Sequence, residues 1–484
     1  MRRLVAVLLC GATLSACTLE PHYVRPTAAV PQTWPVGAAY PTQSADALPS
    51  LSYRDVFKDT HLQTVIGQAI ANNQDLQIAL ANVTIARSQY RVQRAALLPK
   101  INAGGGFAEA NGKVQVIGPG GVVSAPRETT RAYDVDVGFS SFELDLFGRL
   151  RSLSHAAQQQ YLASEAGVHA ARLTLVAEVA AAYLTLATDR SLLAISNDTV
   201  VSAQRSVDLT QARLSGGIAP RTDLRQAQTV LEQAKSDQAN LTTLVAQDRN
   251  ALELLAGARV ADADLPASIE SVEGLLTEVP AGLDSRILLR RPDVVQAEYK
   301  LRAANAQIGA ARANFFPIID LTALAGAASP ALGQLFNGKN FNWNTGGTIT
   351  QPIFAGGANV ANLALSKGQR DLTLAQYQLA IQTAFREVSD ALARRGTVNT
   401  QMAAQDALVA AATDDYNLDL ARYQQGIDPY LNTLLAQRTL YQARQSQAST
   451  RLIRADSLVT LYRTLGGDQL IDGGPSAPTA KGKD

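Results

Sequence analysis

Residues 212–235 (ARLSGGIAPRTDLRQAQTVLEQAK) and 421–444 (ARYQQGIDPYLNTLLAQRTLYQAR) are two copies of one segment, identical at 10 of 24 aligned positions. Their offset is 209 residues. A second pair, 86–99 and 304–317, recurs upstream at an offset of 218. The features come in the same order in both halves of the 484-residue chain, so the whole architecture is duplicated. Two structural repeats are expected, 57–270 and 271–470, folded together as one body.

Composition narrows what the repeat can be. The apolar share is 46%, but Ala dominates it, with only 6% aromatic residues and 2 Met. That mixture suits long helices packed side by side rather than a thick globular core. A net charge of +1, from 43 basic and 42 acidic residues, leaves no basic surplus for nucleic acid.

The first 16 residues read as a signal peptide. Arg2 and Arg3 precede an apolar run, Leu4 to Leu14, that is too short to span a bilayer. Leu14-Ser15-Ala16-Cys17 resembles the bacterial lipobox, in which Cys17 becomes the lipidated first residue of the mature chain. No Asp follows it, a pattern that in lipoproteins implies export to the outer membrane. Cys10 leaves with the signal, so no thiol is left for a disulfide, a metal or catalysis. No later run holds 18 uninterrupted apolar residues, so no transmembrane helix is expected.

Residues 17–56, rich in Pro, form an extended tether that lies along the body. Each repeat then runs through helices, two strands, a long helix and a return helix. In the first, helices from about Phe57 and Asp75 precede strands within 100–146, a long helix over 148–214 and a return helix over 220–256. Tyr133, Val135, Val137 and Phe139 alternate with polar or small residues, as in a half-buried strand. After Ser140-Ser141 the apolar phase flips to Phe142, Leu144 and Leu146, which calls for a bulge or a change outside the strand. Gly118 to Gly121 marks a loop tip. The second repeat has a helix over about 293–314, strands within 317–354, a long helix over 358–425 and a return helix over 430–465. Residues 471–484 form a disordered tail. Helical seams run through Leu173, Val176, Ala180, Tyr183 and Ala187, and through Leu374, Tyr377, Ile381, Phe385, Val388 and Leu392. Each long helix rises on the order of 100 Å.

Four strands cannot close a barrel, and only closed barrels satisfy strand backbones in lipid. Three chains give about twelve strands; two give about eight, with almost no lumen. The expected fold class is therefore mainly α with a membrane β-barrel. Long antiparallel helical hairpins form an α-barrel, and four β-strands per chain close as a 12-stranded barrel in a trimer.

Leu288-Leu289-Arg290-Arg291-Pro292-Asp293-Val294 with Ala297-Glu298 matches a signature L-x-R-R-P-D-V-x-x-A-E. Asp145-Leu146-Phe147-Gly148-Arg149 and Pro352 to Gly357 match strand-to-helix junctions, and Cys17 with Pro21, Tyr23 and Pro26 matches a lipidated N-terminus. On these residues the chain, over about 14–470, resembles the outer membrane factors, the TolC-like efflux channels, in their lipoprotein (NodT/OprM-type) branch. It departs where the family often has a Trp pair and Asp-Pro, carrying Ser52-Tyr53 and Asp59-Thr60 instead. The resemblance implies a homotrimer anchored in outer-membrane lipid, with a twelve-helix tunnel in the periplasm. It would be a passive exit duct for an inner-membrane pump joined through a periplasmic adaptor (membrane fusion protein).

Arg213, Gly217, Arg422 and Gly426 match the family's paired R-x-x-x-G tips, which implies adaptor docking; helix-stop chemistry alone would also place the two glycines. Asp414, Asp415 and Asp419 precede the second tip. Threefold symmetry would turn inward carboxylates into an acidic ring serving as gate and cation filter, against the plainer reading of a solvated helix face. Asp415 and Asp419 share a face, and Arg422 is placed to pair with Asp419. The tips are unequal, with Ala219 and Arg221 in the first and Asp428 and Tyr430 in the second. Arg290, Arg291 and Asp293 read as structural, Asp293 opening a helix after Pro292. Gly333 to Lys339 has phosphate-loop spacing, but Asn340 stands where Ser or Thr must hold magnesium, and it lies between strands. With no metal-ligand spacing among four His and no catalytic constellation, the chain reads as no enzyme and without cofactor. The competing reading is a structural coiled-coil lipoprotein with no pore, which the alternating strands disfavour.

Overall fold

A computed structural model of the chain describes residues 18–41, 52–118, 121–275 and 284–470. The signal peptide, Cys17 and the tail 471–484 lie outside the described residues. The repeat is visible in the order of the elements. Helices α1 (Thr60–Asn72) and α2 (Gln74–Ala95) lead into strands β1 (Asn102–Gly118) and β2 (Gly121–Glu143). Long helix α3 (Arg149–Ser215) and return helix α4 (Arg221–Ala256) complete the first copy. The second copy holds α5 (Pro292–Ala313), β3 (Ile318–Ser329), β4 (Phe341–Thr350), α6 (Ala358–Gln424) and α7 (Tyr430–Thr464). Both long helices have 67 residues.

By contact the chain divides into two units, residues 1–25, 84–162 and 299–375, and residues 26–83, 163–298 and 376–484. Neither unit follows a repeat. Each takes part of both copies, because one copy alone leaves an apolar helix face uncovered.

The first unit carries an antiparallel sheet in the order β1-β2-β3-β4. The phase flip in β2 is a bulge: the register to β3 shifts between Phe139 and Phe142. Thr322 Oγ1 donates to the Ser140 carbonyl there at 2.8 Å, and Ser141 Oγ to Asp320 at 3.0 Å. Both strands of this first hairpin outreach β3 and β4. Residues 108–118 and 121–132 pair only with each other, past the last β3 partner at Ser329. The phosphate-loop look-alike is two short 3-10 turns between β3 and β4.

The tether packs on the body. Within the first unit the Leu19 and Pro21 carbonyls accept hydrogen bonds from Arg312 and Asn305 of α5, and Tyr23 lies under the Arg302 guanidinium. Within the second unit Trp34 is buried, stacked on Phe385 of α6 at 5.0 Å. A side chain at Gly396 would strike the Ala39 carbonyl at 2.2 Å, so this helix position must stay bare where the tether crosses.

The core of the second unit follows the seams. Val176, Ala180, Tyr183 and Ala187 of α3 and Tyr377, Ile381 and Val388 of α6 are fully or nearly fully buried. Leu374 and Phe385 are only half-buried. Asn73 breaks the helix before α2, accepting from the Leu76 amide at 3.0 Å and donating to the Leu255 carbonyl at 3.0 Å. The expectation of no membrane-spanning helix needs one qualification. α3 contains a window long and apolar enough to cross a bilayer, yet more than half of it is buried in the fold, as in a core helix. Equivalent hydrogen bonds recur between the two hairpins' helices: Gln238 to Asn197 at 2.7 Å and Gln447 to Asp406 at 2.7 Å.

The signature Arg291 explains its own rigidity. Its nearly buried guanidinium donates to Asp293 at 2.8 Å, to Glu387 of α6 at 2.9 Å and to the Thr464 carbonyl ending α7 at 2.8 Å. One side chain thus ties three helices together, in keeping with a structural role.

Candidate functional site

Two turns end the long helices, and they are built alike. Gly217 and Gly426 have φ of +72° and +78°, the left-handed region that favours glycine. In the first turn Ile218 N–H donates to the Arg213 carbonyl and Gly217 N–H to that of Leu214, both at 3.0 Å. In the second, Ile427 N–H donates to the Arg422 carbonyl at 2.9 Å and Gly426 N–H to that of Tyr423 at 3.0 Å. This double bond pattern satisfies the last helical carbonyls and directs the chain back. A Cβ at Gly217 would meet nothing within 4 Å, so its conformation, not crowding inside the chain, demands glycine. Ile218 and Ile427 stand exposed at the tips.

The two tip arginines do different things. Arg213 crosses from the end of α3 to the end of α6. Its Nη1–H donates to the Tyr423 carbonyl at 2.8 Å, and its guanidinium carbon lies 4.6 Å from the centre of the Tyr423 ring. Arg422 stays at home and grips Asp428 across its own turn with both Nε and Nη2, the latter at 3.2 Å. The pairing of Arg422 with Asp419 is therefore corrected. The turn carries Asp428 back beside residue 422, where a two-point contact outcompetes a helical i, i+3 partner. Asp428 is held below the usual carboxylate range by this Arg422 contact.

Behind the tips lies a packed cluster of Ala203, Ala227, Leu231, Tyr423, Tyr430 and Leu434. The two tyrosine rings meet edge to face at 5.2 Å. Burial pushes the Tyr430 phenol up to about 12. Tyr423 was not evident as a site residue. Its signal is a difference between copies, since Leu214 holds the equivalent place in the first hairpin.

Asp414 and Asp415 are exposed on α6, and Asp419 is half-buried. The Asp419 carbonyl accepts from Thr433 of α7 at 3.1 Å. Further from the tips, burial lifts Asp248 of α4 to about 6, and the hydrogen bond and charge of Asp189 on α3 act in the same direction. Among the described residues no three His, Cys, Asp or Glu side chains gather as a metal would require.

The sheet has two chemically distinct faces, fixed by register. On one, Trp343 pairs with Ala325 and that with Val137, and Phe341 pairs with Ala327 and that with Val135. Past the bulge Phe142 and Leu321 continue this apolar face, so the bulge preserves the face while the sequence phase flips. The opposite face carries Asp134, Asp136, Glu143, Asp320, Asn342 and Asn344. The Asp136 and Asp134 carboxylates lie over Gly104 and Gly106, where a Cβ at Gly106 would come within 2.6 Å of Asp134. Trp343, Phe341 and Ile349 stand exposed on the apolar face. A sheet apolar on one side and acidic on the other, with neither edge strand paired further among the described residues, suits a wall between lipid and water.

Comparison with known proteins agrees with this arrangement. The family described as "Outer membrane efflux protein" matches residues 65–258 and 283–467. The chain is 43% identical over 468 residues to the probable efflux pump outer membrane protein TtgC of Pseudomonas putida, covering 96% of each. Among solved structures, a membrane protein from Pseudomonas aeruginosa superposes with a TM-score of 0.86 at 37% identity, over 93% of this chain and all of that one. The open state of the Neisseria gonorrhoeae MtrE outer membrane channel gives 0.80 at 35% identity, over 94% of this chain and 99% of that one.

Proposed function

The chain belongs to the outer membrane efflux protein family, and from that membership we propose that it is the outer-membrane exit duct of a tripartite efflux system. The observation that carries this reading is the two-faced sheet, open at both edges and continued by two 67-residue helices. Unpaired edges cannot stand in lipid, so three copies close twelve strands into a barrel, the apolar face outward and the acidic face lining the lumen. The duct is passive and carries no catalytic chemistry. Cys17 bears the lipid that anchors the chain in the outer membrane, and the long helices form the tunnel in the periplasm. An inner-membrane pump supplies the drive through a periplasmic adaptor.

The adaptor docks at the hairpin tips around Gly217 and Gly426. Exposed Ile218 and Ile427, and the bare glycine backbones, support this reading. Arg213 and Arg422 contribute by shaping the tips, since both guanidinium groups are engaged within the chain. Asp414, Asp415 and Asp419 supply the periplasmic gate as an acidic ring, a role supported by the exposure of Asp414 and Asp415 and by the place of all three on the last turns before the second tip. Purified full-length protein, its mass measured in detergent and its conductance in a planar bilayer, tests the proposal. Trimers that give discrete conductance steps are expected. Trimers that never conduct would favour the coiled-coil lipoprotein instead.

A further inference from the structure

The tether is pinned at the foot of the sheet. Thr18 Oγ1 lies 3.5 Å from Ser152 Oγ of α3, and the Leu19 carbonyl accepts from Arg312 of α5 at 3.1 Å. A Cβ on Gly309 of α5 would lie 2.8 Å from the Glu20 Cα, and the Glu20 carboxylate is 2.9 Å from His155 Nδ1. Three consecutive tether residues are thus held, and Cys17 is joined to the first of them, a Cα step of about 3.8 Å. Arg302, Asn305, Gly309 and Arg312, which meet the tether, share one face of α5 at helical spacing. Phe316 continues that row, stacked on Phe147 at 4.7 Å and still 39% exposed. Two residues later β3 begins at Ile318.

On the apolar face β3 is the low strand. Its residues there are flanked row by row: Phe139–Ala323–Thr345, Val137–Ala325–Trp343 and Val135–Ala327–Phe341. The register thus cuts a trough along β3, walled by β2 on one side and by β4 on the other. Val137, Trp343 and Phe341 are 51%, 68% and 63% exposed, so both walls stand free. The backbones of β2 and β4 lie about 9–10 Å apart across it, which leaves room for one polymethylene chain between their side chains.

We infer that an acyl chain carried by Cys17 lies in this trough of its own β3, passing over Phe147 and Phe316 and ending beside Trp343. The inference rests on the lipidated Cys17 and the lipid-facing sheet proposed above. The occupant follows from where the tether is pinned. A chain attached at the foot of β3 reaches the trough without the search that a free lipid must make. The dimensions agree. One leaflet is half of a hydrocarbon core about 30 Å thick, so an acyl chain rises about 15 Å. Along a strand tilted about 40° that rise takes about 20 Å, or about six residues. Six residues from Ile318 is Leu324, beside the row of Ala325 and Trp343. The alanine floor has a reason in this reading: a larger side chain on β3 would lift the acyl chain off the wall.

The test feeds cells making the full-length chain a palmitic acid analogue with a diazirine at its methyl end. The purified protein is irradiated and digested with trypsin. Cleavage at Lys and Arg separates the strands into peptides 101–113 (β1), 132–149 (β2), 313–339 (β3) and 340–367 (β4). A link made by the anchor also carries the N-terminal peptide that begins at Cys17, which a link made by a free labelled lipid does not. Anchor links to 313–339 and 340–367 should exceed those to 101–113 at least roughly fivefold. An even spread over the four peptides would overturn the trough and leave the lipid-facing sheet and the anchor standing. An N-terminal peptide without acyl mass would overturn the trough and the anchor together. Ala325→Phe, which raises the floor of the trough, should lower the anchor links to 313–339 at least roughly threefold in fully acylated protein. Unchanged links in that variant would also overturn the trough.

Discussion

A mouth that opens by spreading its tips must break the contact between Arg213 and Tyr423, and replacing Arg213 with Met isolates that contact. Methionine keeps the length and helix propensity of the side chain and removes the guanidinium. What is lost is one charge-assisted hydrogen bond to a carbonyl at 2.8 Å and one cation–π contact at 4.6 Å. A hydrogen bond to a charged group contributes about 1.5–3 kcal/mol and an accessible cation–π contact about 0.5–1 kcal/mol. Arg213 is partly exposed, so about 2 kcal/mol is a fair net figure. If the contact exists only in the closed state, about 2 kcal/mol shifts the closed-to-open ratio roughly thirtyfold. Single-channel open probability in a planar bilayer measures this directly. Tyr423→Leu removes the ring but leaves the carbonyl, so it should shift the ratio only about threefold. Combining both substitutions should add little to Arg213→Met, because the guanidinium is shared. Arg213→Met trimers with an open probability within twofold of the unmutated channel would refute the claim that this contact holds the tips together.

Other consequences are open to measurement. Valine at Gly217 or Gly426 meets a φ of +72° or +78°, costing about 1–2 kcal/mol or more at a tip, and should abolish efflux while leaving trimers intact; unchanged efflux would sink the docking role. Asp415→Ala and Asp419→Ala should each weaken the channel's cation preference, and reversal potentials in a salt gradient would show no change if the acidic ring is not in the pore. Arg291→Met leaves Asp293 and Glu387 without their cation and the Thr464 carbonyl without its donor, so the melting temperature should fall by several degrees from a loss of about 3–5 kcal/mol. Asp248, lifted to about 6 in the folded chain, holds its proton more tightly than it would when unfolded. Its contribution to stability is therefore full below about pH 4 and is lost as pH rises through about 6. Asp248→Asn should flatten that part of the thermal-stability profile, and a profile identical to that of the unmutated chain would exclude the effect.

The helices were legible because their pattern is local. Seam residues such as Val176 and Tyr377 repeat at three and four positions, and Gly217 and Gly426 stop helices by their own backbone preference. The bulge in β2 was legible for the same reason, as a break in alternation within one strand. β1 was the least legible element. Its glycines, Gly104 and Gly106, lie beneath carboxylates of the neighbouring strand, and nothing in their own segment announces that need. The tip contacts failed in proportion to distance. Arg422 with Asp428 required knowing how the turn folds back, and Arg213 with Tyr423 joins residues 210 positions apart. Carboxylates such as Asp415 announce charge in the sequence, but which way they face depends on neighbouring chains.

The two offsets differ, 218 before the strands and 209 after them, and that difference has a practical meaning. The helices flanking the strands keep their lengths in both copies, 22 residues in α2 and α5 and 67 in α3 and α6. The nine extra residues all fall between α2 and α3, the segment that holds the β1–β2 hairpin. Its outer part, residues 108–118 and 121–132, pairs with no third strand among the described residues. It is the stretch of chain whose length the rest of the molecule does not measure, and so the place where an inserted epitope or affinity tag should be carried to the cell surface without altering the duct.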